Sequence, residues 1–237
     1  MSLNTLRLRS PADVVCAIPY LIGFHPAGSL VVLACDNARG AYAVRLDLTA
    51  QDALLEHITD LVARRRPEGV IVTGYGPADQ VTPMVDRVRA RLDALGVRLR
   101  EALRVEAGRF WSYLCSDSTC CPPEGTYVDV STSPIAAAAI AGGMVALPDR
   151  RDLERTLEPT GGEQMRQATA RAERKLAAWA ESATPKVPAH MITEGVPLVR
   201  DLMERACKGS DPPADDEVAW LGILLVNLRV RDEAWYA

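Results

Sequence analysis

From Ser10 to Leu114 the apolar residues change period repeatedly, and each change marks an element. Ser10-Pro11-Ala12-Asp13 reads as a helix start, with a hydroxyl at the N-cap and proline at the first helical position. Val14, Val15, Ile18, Leu21 and Ile22 supply its apolar face, and Pro19 predicts a kink or an early end. Gly23-Phe24-His25-Pro26-Ala27-Gly28 is a turn-rich loop. Ser29 to Cys35 is a β-branched apolar run, and Ala41 to Leu48 alternates. With Asp36-Asn37-Ala38-Arg39-Gly40 between them, the two predict a hairpin.

The pattern then becomes helical. Leu54, Leu55, Ile58, Leu61 and Val62 form one stripe that closes at Arg64-Arg65-Arg66, where cations oppose the negative end of the helix dipole. Val70-Ile71-Val72-Thr73 is an apolar run of the doubly buried strand type. Gly74-Tyr75-Gly76-Pro77 leads to a second helix, with Thr82 as cap, Pro83 at the first position and Gly96 as stop. Val97 to Val105 and Arg109 to Leu114 read as strands joined by the turn Glu106-Ala107-Gly108.

After residue 130 strand signals cease. Helices are expected at Pro134 to Ala141, around Leu153 and Leu157, and from Glu163 to Ala183. Pro185-Lys186-Val187-Pro188 reads as a linker. Helices follow around Val199 to Cys207 and Glu217 to Leu228, with Asp215 as a cap. The fold class that results is α/β: a mixed β-sheet with flanking helices over residues 1–130, followed by a C-terminal helical region over 131–237. The tail Arg229 to Tyr236 is helix-compatible and carries no stop signal, so the natural chain is expected to continue past Ala237.

Composition narrows the function classes. At 237 residues, 48% apolar and 24% charged, the chain suits a globular protein. A net charge of −4 gives no basic field for nucleic acid, and the arginines from Arg87 to Arg109 interleave with Asp86, Asp93, Glu101 and Glu106. Apolar runs are broken by proline and glycine, which argues against a membrane span, and the N-terminus lacks a leader pattern. A cytoplasmic location follows as the expectation, where thiols default to the reduced state.

Three of the six cysteines fall in Cys115-Ser116-Asp117-Ser118-Thr119-Cys120-Cys121-Pro122-Pro123-Glu124-Gly125. Three readings stand open. Cys115, Cys120 and Cys121 could be small thiols packing a proline-locked loop, a reversible disulfide pair, or part of a zinc site that needs a fourth ligand. His25 is the attractive candidate for that fourth ligand and also for a general acid or base, with Asp117 or Glu124 beside it as catalytic candidates. Gly74, Tyr75 and Gly76, at the end of a buried strand before a helix, and Trp111, beside the cysteines, are candidate ligand-binding residues. The Gly-Tyr-Gly segment lacks the third glycine of a dinucleotide fingerprint and the lysine of a P-loop, so a tight strand-to-helix turn is the favoured reading beside ligand binding.

Several segments together resemble a known family. These are Ile18-Pro19-Tyr20-Leu21-Ile22-Gly23-Phe24-His25-Pro26, Val72-Thr73-Gly74-Tyr75-Gly76, Gly108-Arg109-Phe110-Trp111-Ser112-Tyr113-Leu114-Cys115 and Cys120-Cys121-Pro122-Pro123-Glu124-Gly125-Thr126. The chain resembles, over nearly its whole length, the actinobacterial domain of unknown function 4192 family. The resemblance implies a bacterial, intracellular protein and supplies no activity, cofactor or catalytic residue. Two functions follow as expectations. One is a small-molecule-binding protein or enzyme whose site joins the Gly-Phe-His-Pro loop, the Gly-Tyr-Gly turn and the cysteine loop. The other is a protein-interaction module in which the cysteine loop is structural. Small molecule or protein partner, and oligomeric state, are not legible.

Overall fold

The computed structural model describes residues 6–36, 40–158, 162–181, 187–209 and 211–236. The chain divides into two compact units, Met1–Glu158 and Pro159–Ala237. In the first unit the order is α1 (Pro11–Ile22), β1 (Ser29–Asp36), β2 (Gly40–Asp47), α2 (Asp52–Arg64), β3 (Gly69–Tyr75), α3 (Ala78–Ala94), β4 (Leu99–Glu106), β5 (Arg109–Ser112), β6 (Thr126–Tyr127), α4 (Pro134–Ala141) and α5 (Arg150–Arg155). The six strands make one mixed sheet in the order β2-β1-β3-β4-β5-β6. Among the described residues only β3 and β4 pair as parallel strands, joined by α3, and the other four neighbour pairs of this sheet are antiparallel.

β3 sits centrally and is buried along its whole length, which is why its residues read as an unbroken apolar run. Alternate residues feed two cores. Leu30, Val32, Val70, Val72 and Ala102 pack with Leu55, Val62, Val81, Met84, Val85, Val88 and Leu92 of α2 and α3. Val31, Leu33, Ile71, Leu103 and Phe110 face Val14, Val15 and Ile18 of α1. The sheet is thus covered on both faces.

The second unit holds α6 (Glu163–Glu181), α7 (Val187–Cys207), α8 (Asp215–Leu224) and α9 (Leu228–Tyr236). Its core gathers Ala172, Met191, Val199, Trp220, Leu224 and Val230. Gly195 lets α7 and α9 approach, since a Cβ there would lie 2.6 Å from Val230. Trp220 is fixed from two sides: its indole N–H donates to Glu194 at 3.0 Å, and the Lys175 ammonium lies 4.0 Å above its ring.

Several boundaries differ from the sequence reading. Proline 19 neither ends nor shortens α1, because the loss of one backbone bond is offset by the burial of Val15, Ile18 and Pro19 itself. The helix closes at Gly23, whose φ of +86° lets its N–H reach the Pro19 carbonyl at 2.9 Å. Helix α3 begins at Ala78, ahead of Thr82; the Thr82 hydroxyl shares a hydrogen bond with the Tyr113 hydroxyl at 2.7 Å instead of capping. Helix α7 starts at Val187, with Pro188 in the first turn where a missing N–H costs nothing, so Val187 and Pro188 are helical and not linker, and the helix expected around Val199 begins a dozen residues earlier. The stretch expected as one helix from Glu217 to Leu228 is split between α8 and α9. Asn37 to Arg39 of the hairpin loop, Ala183, Pro185 and Lys186 lie outside the described residues, as does the N-terminal pentapeptide. Among the described residues no helix is long and apolar enough to cross a membrane.

Candidate functional site

The cysteine loop spans the connection from β5 to β6 at one edge of the sheet. Its two ends are held by side chains. At the start, the Ser112 hydroxyl donates to Glu101 at 2.8 Å and accepts the backbone N–H groups of Leu114 and Cys115 at 3.1 and 3.2 Å. At the far end, the Trp111 indole N–H donates to the Pro123 carbonyl at 2.9 Å, and Arg109 donates to the Gly125 carbonyl at 2.8 Å. Arg104 lays its guanidinium over the other part of the frame, 3.6 Å from the Trp111 ring centroid. Trp111 therefore serves as a clamp within the loop, its ring covered and its N–H engaged.

Inside this frame the chain turns on Asp117. Its carbonyl accepts the N–H groups of Cys120 and Cys121 at 3.1 and 2.7 Å, while its carboxylate accepts the Thr119 N–H and hydroxyl at 2.8 and 2.6 Å. Those bonds, the Thr119 hydroxyl first, hold the Asp117 carboxyl below the usual carboxylate range. Asp117 is a turn former, with its Oδ1 atom and its carbonyl both engaged in the turn. Glu124 lies exposed in the Pro-Pro-Glu-Gly turn, where the Gly125 N–H reaches the Pro122 carbonyl at 2.8 Å.

The turn brings three sulfurs together. The Sγ atoms of Cys115, Cys120 and Cys121 all lie within 4.8 Å of one another. All three thiols are free. The Cys121 thiol hydrogen-bonds Cys115, which holds Cys115 below the ordinary thiol value and pushes Cys121 up to about 12. Among the described residues the group of metal-capable side chains stops at these three and does not include His25.

His25 sits elsewhere. Its backbone N–H donates to the Leu147 carbonyl at 2.9 Å, next to a bridge between Phe24 and Leu147, and its side chain is exposed. It precedes β1, which stands three strands from β5 in the sheet. At about 4.8 Å per strand that is roughly 14 Å of lateral separation. Strand β5 also runs away from the end of the sheet at which β1 begins, since Ser29 pairs with Tyr75 while Ser112 pairs with Leu103. The topology keeps the Gly-Phe-His-Pro and cysteine loops at different corners.

The Gly-Tyr-Gly segment has a packing role. A Cβ on Gly74 would fall 2.2 Å from Val81, so glycine permits α3 to lie against β3. Gly76 has a φ of +148° and sits against Leu48. Tyr75 is buried under α1 with its hydroxyl unpartnered, and burial raises its phenol far above the ordinary value. Nothing presents its hydroxyl to solvent.

A cleft does open beside the Gly-Phe-His-Pro loop. About 680 Å³ in volume, it lies between the end of α1, strand β2, the start of α2 and Arg150 of α5. Leu21, Ile22, Phe24 and Leu54 give it an apolar side. Arg45, Asp47 and Arg150 give it a polar side. Arg45 is nearly buried and fixed: it donates to Ser29 Oγ at 2.8 Å and pairs with Asp47 at 2.7 Å. Arg150 pairs with Glu154 at 2.8 Å and lies 3.7 Å from the second Asp47 oxygen.

A family model described as Domain of unknown function (DUF4192) matches residues 11–237. The chain belongs to the DUF4192 family. Comparison with curated proteins and with solved structures finds no match. The DUF4192 match takes in both units, and with them the cysteine loop and the cleft. In this DUF4192 protein the sequence reading missed the residues that build each place: Glu101, Ser112, Arg104 and Arg109 around the loop, and Arg45 and Arg150 in the cleft. Gly125 carried a signal, since glycine after Pro-Pro-Glu marks a forced turn. The arginines carried none, because each stands in a strand or helix pattern that charge on a solvated face explains as well.

Proposed function

We propose that this protein binds a small molecule with an apolar body and one anionic group in the cleft beside the Gly-Phe-His-Pro loop. The observation that carries the reading is the cleft itself: about 680 Å³, with Leu21, Phe24 and Leu54 on one side and Arg45 and Arg150 on the other. Its size falls within the range of small-molecule sites, and an apolar wall with a few convergent polar groups is their usual make-up. The lining carries two guanidinium groups and one carboxylate, Asp47. Arg45 is pre-organised by Ser29, so a ligand anion meets a donor already in place. Helix α2 adds a favourable dipole end, since Gln51 makes no side-chain cap there.

The test is thermal unfolding of the full chain against a panel of amphiphilic carboxylates and phosphate esters. A ligand at a hundred times its Kd stabilises the native state by about 2.7 kcal/mol. That stabilisation is expected to vanish in Arg150→Ala and in Leu54→Arg. No stabilising compound, or one whose effect survives both substitutions, contradicts the reading.

A second reading, a protein-interaction role for the helical unit, is favoured by one observation. Leu228 and Trp235 are two turns apart on α9 and are 60% and 82% exposed. Self-association that disappears in Trp235→Ala, measured by light scattering, would support it, and a monomer in both chains would count against a self-associating surface.

A further inference from the structure

We propose that Cys115, Cys120 and Cys121 form a binding site for a single thiophilic d10 cation, with zinc(II) as the reference ion. Zinc–thiolate bonds of about 2.3 Å set the edge of a tetrahedron at roughly 3.8 Å between sulfurs. The three Sγ atoms already lie within 4.8 Å of one another. Small side-chain rotations suffice to close the remaining gap.

The backbone explains how neighbouring cysteines reach one point. In an extended chain Cys120 and Cys121 would project to opposite sides. Here both donate their N–H groups to the Asp117 carbonyl, at 3.1 and 2.7 Å, and the resulting turn directs both thiols to the same side as Cys115. The Cys115 N–H is anchored on Ser112, which is held by Glu101. Trp111 and Arg109 close the far end through Pro123 and Gly125. The ligand set thus stands on a braced loop, as a selective metal site requires.

Simple packing does not account for the cluster. Cys16 is a packing cysteine, at 2% exposure in the core. The three loop thiols belong to none of the hydrophobic cores; Cys120 is exposed and the other two are half-buried. Thiols placed together at a surface, on a loop braced by Ser112, Asp117 and Trp111, suit a soft cation. Because the group stops at three among the described residues, a water or small exogenous ligand would complete a tetrahedron.

The full chain, purified under reductant, is titrated with cobalt(II) and then zinc(II), alone and against a chromophoric chelator. The expected result is one equivalent of cobalt, with thiolate-to-cobalt charge-transfer absorption and visible bands of tetrahedral intensity, displaced by zinc. Each of Cys115→Ser, Cys120→Ser and Cys121→Ser weakens binding by more than about a hundredfold, while far-UV circular dichroism shows the fold retained. Cys207→Ser, in the second unit, leaves affinity unchanged. Absence of a charge-transfer band in the reduced chain overturns the proposal. So does a band that survives the three serine substitutions, or a disulfide among these cysteines that persists in reductant.

Discussion

The indole of Trp111 lies against the α-carbon of Gly125, so closely that a Cβ on Gly125 would stand 2.5 Å from the ring. Gly125 also holds a φ of +81°, a region that side-chain-bearing residues enter at a cost of about 1–2 kcal/mol. Contact and conformation together make this pair the lock of the cysteine loop. Gly125→Ala is expected to destabilise the protein by about 2–4 kcal/mol, from backbone strain plus overpacking. Urea unfolding measures it. A loss under 0.5 kcal/mol, the scatter of ordinary surface changes, would mean the loop is not locked there.

Gly74 offers a test of the strand-to-helix turn. Alanine there would drive Cβ to 2.2 Å from Val81 in the main core. Gly74→Ala is expected to cost roughly 1–3 kcal/mol in urea unfolding without altering binding of any cleft ligand. If stability holds and binding falls, Gly74 faces a ligand and not the helix.

Glu217 gives the second unit a pH dependence. Its carboxylate accepts both terminal nitrogens of Arg205, at 3.0 and 2.9 Å, and the Ala214 N–H at 2.9 Å. Those bonds, Arg205 first, hold the Glu217 carboxyl below its ordinary value of 4.5. A depressed carboxyl contributes stability that is present above its unfolded value and lost as pH falls through the lower folded value. Glu217→Gln should therefore unfold at a lower temperature than the parent at pH 7. The difference should narrow as pH drops below about 4.5. A gap that stays constant from pH 7 to pH 3 would show that charge is not the source.

Much of the fold was legible because burial writes itself into residue order. The run Val70-Ile71-Val72-Thr73 marked a strand covered on both faces, and the stripe Leu54-Leu55-Ile58-Leu61-Val62 marked α2. Strand β6 was not legible, since two residues carry no period. The early start of α7 was hidden by Pro188, which reads as a breaker but is accommodated in a first turn. The candidate sites divide in the same way. That Cys115, Cys120 and Cys121 belong together was visible from proximity in sequence, but their convergence depends on a turn built by the Asp117 carbonyl, which no spacing rule encodes. The cleft was invisible because Leu21, Arg45, Leu54 and Arg150 meet only through the fold.

The separation of the two places is the centre of this account. His25 and the thiols were expected to share a site, and the sheet order sets them three strands apart. The most direct measurement is the zinc affinity of His25→Ala beside that of Cys115→Ser, by chelator competition under reductant. The account expects His25→Ala to bind within about twofold of the parent chain, and Cys115→Ser to bind more than about a hundredfold more weakly. Equal loss in both variants would place His25 among the ligands and contradict it, as would a parent chain that binds no zinc.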